Sequence, residues 1–293
     1  MTSASTLGPL LDSVRGVHWP SRKPVAGGPA GTHQSKMRGT SAEFTEYRLY
    51  RQGDDPRRID WRLLARSDRA YIRLATDRAV LPTTILIDAS ASMAFPVASN
   101  AKWHQAQRIA IGLAAVVHAD GDPIGVAVRG DDGGMRVLPP RTRRGIVHEI
   151  ARVIEAIEPE DTDALAPTLA ALRSARIAIV TDLLGDAEEL LRAASVHVVA
   201  GGEVHLVHVV AREELDPPKR AILAADPEAP TLQRLLADST RRGYLEAFGE
   251  WRASMAQRWR AAGASYVEVV ADEDVAHAVR RVVEPPAFRG VRT

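Results

Sequence analysis

The chain has 293 residues, 45% of them hydrophobic, and carries 38 Lys and Arg against 37 Asp and Glu, a formal charge of +1. That length supports one sizeable core plus a smaller appended region, and the balanced charge gives no global pull toward nucleic acid or an acidic membrane. With no cysteine, disulfides, thiolate zinc sites and cysteine nucleophiles are excluded, and a reducing compartment fits.

No stretch reaches the ~18–20 apolar residues of a membrane span. Met1–Leu11 is Ser/Thr-rich and lacks the charged start and apolar core of a signal peptide. A cytoplasmic location without direct membrane insertion is expected. Residues 1–40 are poor in core-forming residues after Trp19, and Gly27-Gly28-Pro29-Ala30-Gly31 predicts a flexible N-terminal segment.

Residues 41–80 form a charged segment, expected to pack on the main domain. Asp55-Pro56 has the pattern of an N-cap followed by proline at the first helical position, predicting a helix from Pro56 to Arg66. On that helix Asp60 and Arg57, three apart, meet on one face. Tyr71–Leu74 predicts a strand.

Over residues 81–293 strand and helix alternate. Strands are predicted at Thr83–Asp88, Pro123–Arg129, Arg176–Asp182, Val204–Val210 and Ser265–Val270. Helices are predicted at Ala101–Ala119, Arg143–Ile157, Leu165–Ser174, Ala187–Ser195, Thr240–Ala262 and Glu273–Val283. Met135–Leu138 adds an antiparallel edge strand, and Lys219–Leu236 reads as a hairpin broken at Asp226-Pro227. This alternation predicts an α/β, Rossmann-like, doubly wound and mostly parallel sheet covered on both faces.

The chemistry concentrates at Asp88-Ala89-Ser90-Ala91-Ser92, directly after the apolar run Thr83–Ile87. D-x-S-x-S puts one carboxylate and two hydroxyls on a loop at a strand's C-terminal end, where ligands bind in open α/β sheets. Hard oxygen donors suit Mg²⁺, with Mn²⁺ or Ca²⁺ as substitutes. Two further loops offer help: Thr162 precedes a helix, and Asp182 ends a strand as Asp88 does. Ser90, Ser92 and Thr162 would ligate the ion directly, Asp88 and Asp182 through waters. The same residues also read as helix-start and turn residues without an ion.

The D-x-S-x-S loop resembles the metal-ion-dependent adhesion site of von Willebrand factor A-like domains. Farther upstream stand Arg38-Gly39, Glu43-Phe44, the block Gly53-Asp54-Asp55-Pro56-Arg57-Arg58-Ile59-Asp60-Trp61, and Ala65-Arg66. Followed by D-x-S-x-S-M, this order resembles the domain-of-unknown-function-58 family. The resemblance implies a von Willebrand A-like fold, a partner-binding role, and partnership with a MoxR-type AAA+ ATPase or its client protein. Two departures are visible: Ser41 replaces a usual glycine, and Glu160-Asp161 precede Thr162 where glycines are common.

The segment bearing Asp54, Asp55, Arg57, Arg58, Asp60, Trp61 and Arg66 reads either as an ion-pair network docking it on the sheet or as a protein-recognition surface. Its interspersed acids argue against nucleic acid. Enzymatic readings find little: a phosphatase of the D-x-D kind lacks its second aspartate at Ser90, and neither G-x-S-x-G nor a phosphate-binding glycine loop follows a strand. The histidines show no H-E-x-x-H spacing, and His205 and His208 read as core or surface residues. A non-enzymatic binding module is expected, with a structural scaffold carrying a degenerate metal loop as the alternative.

Overall fold

A computed structural model describes residues 4–22, 30–52, 54–129, 134–160, 164–217, 222–225, 233–236 and 238–284. The chain forms two compact units, residues 1–19 with 82–293, and residues 20–81. The larger unit opens with helix α1 (Ala4–Ser13), and Trp19 just beyond it is buried in that unit's core. The stretch expected to be flexible therefore starts with an ordered, packed element, because Leu10, Val14 and Trp19 supply the apolar surface that anchors it.

The smaller unit is a long antiparallel hairpin, β1 (Ala30–Leu49) with β2 (Tyr71–Ala79), joined through helix α2 (Trp61–Ser67). The single helix expected from Pro56 to Arg66 is two pieces. A 3-10 turn at Pro56–Arg58 is capped by Asp55, whose side chain accepts the Arg57 N–H. Ile59 then turns extended and bridges Ile72. Asp60 restarts the helix by accepting the N–H groups of Arg62 and Leu63. The expected Asp60–Arg57 contact across one helix face is thereby corrected: Asp60 is a cap, and its carboxylate is spent on orphan amides.

The larger unit continues with β3 (Thr83–Ile87), α3 (Ala101–Ala119), β4 (Ile124–Arg129), β5 (Met135–Arg141), α4 (Ile146–Glu155), α5 (Ala166–Ala171), β6 (Arg176–Thr181) and α6 (Ala187–Val199). Then come β7 (Glu203–Val210), α7 (Arg212–Leu215), the hairpin β8 (Ile222–Ala225) with β9 (Gln233–Leu236), α8 (Asp238–Ala261), β10 (Ser265–Val270) and α9 (Val275–Val283). The turn at Asp226-Pro227 lies outside the described residues.

The central sheet runs β10-β7-β6-β3-β4-β5, parallel except for the edge strand β5. Side-chain alternation splits the core between its faces. Ile85, Ile87, Val126, Val180 and Val207 pack with α1, α3, α4 and α9. Leu86, Ile177, Ile179 and Leu206 pack with α6 and the α8 residues Met255 and Trp259. β3 connects outward to β4 on one side, while β6 and β7 continue on the other, so the strand order reverses between β3 and β6. In a doubly wound sheet that reversal leaves a crevice at the strands' C-terminal ends.

Candidate functional site at the strand-end crevice

Asp88 leaves β3 and Asp182 leaves β6, on either side of the crevice, with the Asp88 N–H donating to Val180 O at 2.9 Å. Asp88 is buried and faces inward. Its Oδ1 accepts the Ser90 N–H at 2.9 Å and its Oδ2 accepts the Thr181 hydroxyl at 2.6 Å. Burial, reinforced by the Asp182 charge, pushes the Asp88 carboxyl up to about 6. The Ser90 and Ser92 hydroxyls are 3.0 Å apart and bond to one another; Ser92 is buried and Ser90 partly exposed.

Asp182 has a cationic partner that the sequence did not announce. The Lys102 ammonium, on the first turn of α3, is fully buried 2.6 Å from Asp182 Oδ2 and 2.9 Å from Glu214 Oε1. Burial works to lower its pKa, but the two carboxylates together hold it above the ordinary lysine value. Glu214 also accepts the Ala211 N–H at 2.7 Å, which fastens the turn after β7. Asp182 Oδ1 accepts the Leu184 N–H at 3.1 Å. Leu183 between them adopts a left-handed φ of 59°, a conformation that β6's end holds by the Thr181 hydroxyl accepting the Leu183 N–H. Behind Asp182, the His208 ring contacts the Tyr266 hydroxyl at 2.5 Å and the Asp182 carbonyl at 3.1 Å, and burial lowers its pKa to about 4.

Four of the five expected ion-site residues thus border one crevice, while Thr162 lies outside the described residues. Thr181, Lys102, Glu214 and His208 complete the cluster. The fit to a divalent ion is incomplete. Both carboxylates already engage protein donors, the two serines engage each other, and an ammonium occupies one side of Asp182. Among the described residues no three His, Cys, Asp or Glu side chains come together as ligands of one ion.

In the smaller unit, Asp54 pairs with Arg48 at 2.7 Å and accepts the Arg51 N–H, and Asp60 also accepts the Tyr47 hydroxyl at 2.9 Å. Trp61 is 63% exposed.

Residues 46–253 match the family described as "Protein of unknown function DUF58". The chain belongs to that family. It is 27% identical over 256 residues to the uncharacterized protein Rv1480 of Mycobacterium tuberculosis strain H37Rv, covering 83% of this chain and 79% of the relative. The same holds for the uncharacterized protein Mb1516 of Mycobacterium bovis. Among solved structures, the chain is similar to BatB from Bacteroides thetaiotaomicron, with 16% identity, a TM-score of 0.46 and coverage of 69% of this chain and 97% of that one. An aerotolerance-related membrane protein from Bacteroides fragilis gives 15% identity, a TM-score of 0.46 and coverage of 69% and 96%. Among the described residues no helix is long and apolar enough to cross a membrane.

Proposed function

We propose that this chain is a non-enzymatic protein-interaction scaffold whose strand-end loops are held by their own residues instead of by an ion. One observation carries the reading: Lys102 neutralises Asp182 from within, and Asp88 is bonded inward to Thr181 and Ser90. The crevice is set before any ligand arrives, which suits a rigid docking face. The Ser90 and Ser92 hydroxyls share a hydrogen bond, and the carboxylate that Ser90 also meets, Asp88, is held inward by the Thr181 hydroxyl. Leu184 and Val97, both exposed, flank the loops with apolar surface. The family resemblance supports a MoxR-type AAA+ ATPase, or its client, as the partner.

A second reading is favoured by the Ser90–Ser92 pair and by Asp88, a buried carboxylate held by neutral donors. Here Mg²⁺ binds between the serines and is completed by a partner carboxylate. Mn²⁺ calorimetry on wild type and Ser90→Ala, with ATPase capture in chelator and in Mg²⁺, separates the two. The scaffold reading expects no Ser90-dependent heat and capture that survives chelation. Capture lost in chelator and restored by Mg²⁺ only when Ser90 is present overturns it.

A further inference from the structure

Between Tyr47 and Tyr71 the chain holds Arg48, Arg51, Arg57, Arg58, Arg62, Arg66 and Arg69 but no lysine, against Asp54, Asp55, Asp60 and Asp68. The structure divides these charges by role. Asp54 is taken by Arg48 and the Arg51 N–H, Asp55 by the Arg57 N–H, and Asp60 by two helix amides and the Tyr47 hydroxyl. Three acids therefore serve the fold of this loop. Of its arginines, Arg57, Arg62 and Arg66 are exposed and, among the described residues, make no ion pair. Arg62 and Arg66 are four apart on α2 and share a face. In the same unit Trp61, next to Arg62 in sequence, is 63% exposed, Leu49 49% and Tyr47 42%.

A large indole left in water gains nothing for folding. Trp, Tyr and Arg together are the residues that dominate binding energy when a partner removes them from solvent. Each guanidinium fork can match a carboxylate in two parallel hydrogen bonds, which an ammonium cannot. We infer that the tip of the smaller unit, centred on Trp61 with Arg57, Arg62 and Arg66 around it, is a docking surface for an acidic segment of a protein partner. Asp54, Asp55 and Asp60 direct their oxygens to Arg48 and to backbone amides of this loop, and its seven arginines against four aspartates leave it net positive. The surface is built from residues of the smaller unit alone, and the inference stands whether or not the strand-end crevice of the larger unit binds an ion.

A random 12-residue peptide library panned on the full chain provides the probe. Enriched peptides are expected to be Asp/Glu-rich around an apolar residue. Synthetic copies are expected to bind Trp61→Ala, and separately Arg62→Ala/Arg66→Ala, at least about tenfold more weakly than wild type. Arg62→Lys/Arg66→Lys, which keeps the charge and loses the fork, is expected to recover only part of the affinity. An unchanged circular dichroism spectrum establishes that each variant is folded. Enrichment of peptides without acidic residues, or equal binding by Trp61→Ala, overturns the inference. So does tighter binding of a 12-nucleotide oligothymidine or of phosphatidylglycerol vesicles than of the enriched peptides.

Discussion

The Lys102 ammonium lies 2.6 Å from the Asp182 carboxylate across 80 residues of sequence, and neither side chain reaches solvent. A buried charge that loses its partner is far costlier than a pair that is never made. Lys102→Met strands Asp182 together with Glu214 and is expected to lower stability by about 3–5 kcal/mol. Asp182→Asn leaves Lys102 paired with Glu214 and removes a repulsion felt by Asp88, so its loss is expected to be smaller. Urea denaturation of the two variants orders them. Equal losses, or a negligible loss in Lys102→Met, would mean that Lys102 is satisfied in some other way.

Asp88 and His208 flank Asp182 and respond to acid in opposite senses. His208 is depressed to about 4 from an ordinary 6.5, so its contribution to stability is complete above pH 6.5 and is lost as pH falls toward 4. Asp88 is raised from 3.8 to about 6, so its contribution is complete below 3.8 and is lost as pH rises through 6. Between pH 4 and 6 the two slopes oppose, and these groups leave wild-type stability nearly level. Asp88→Asn removes one slope. Its stability is expected to fall by up to about 3 kcal/mol between pH 6.5 and 4, from 1.36 kcal/mol per pKa unit. Urea midpoints across this range test the idea, and parallel wild-type and variant curves would sink it.

The larger unit was legible because its strands are buried on both faces and read as uninterrupted apolar runs, such as Thr83–Ile87 and Arg176–Thr181. The strand-end placement of Asp88 and Asp182 followed from those runs. Lys102 was not legible: a lysine in the first turn of a helix ordinarily reaches solvent, and its partners are 80 and 112 residues away. The only hint was a cation in a helix otherwise rich in buried Ala, Ile, Leu and Val. The Pro56–Arg66 region misled for a local reason. Asp55 and Asp60 are both capping residues, and the first one was read as starting a helix that the second one starts. Arg57–Asp60 spacing then suggested an ion pair where each acid binds backbone.

Gly125 in β4 is a steric requirement of the sheet edge. A Cβ there would stand 2.7 Å from Pro140 N and 2.9 Å from Pro139 C, and closer still to Leu138 O. All three are backbone atoms of β5, so no rotamer relieves them. The pairing register slips at this point, between Ile124 and Val126, where Pro139-Pro140 bulges the edge strand. Gly125→Ala is expected to cost about 1–3 kcal/mol and to release β5 first. Hydrogen exchange should show protection lost in Val137 and Leu138 while β3 and β6 keep theirs. Uniform loss across the sheet would contradict this account.

Asp60 and its neighbour Trp61 separate holding the fold from presenting a surface. Asp60 accepts from Arg62 N and Leu63 N at 3.0 Å each and from Tyr47 Oη at 2.9 Å. Asp60→Ala orphans two helix amides and the tyrosine hydroxyl, and is expected to cost about 1–2 kcal/mol in the smaller unit. Asp60→Asn, which keeps a capping oxygen, should cost less. Trp61 is largely in water, so Trp61→Ala is expected to stay within about 0.5 kcal/mol of wild type. Amide exchange at Arg62, Leu63 and Leu64 reads both effects locally. If Trp61→Ala raised exchange there as much as Asp60→Ala, the indole would be packing the loop, and its exposure would no longer argue for a partner.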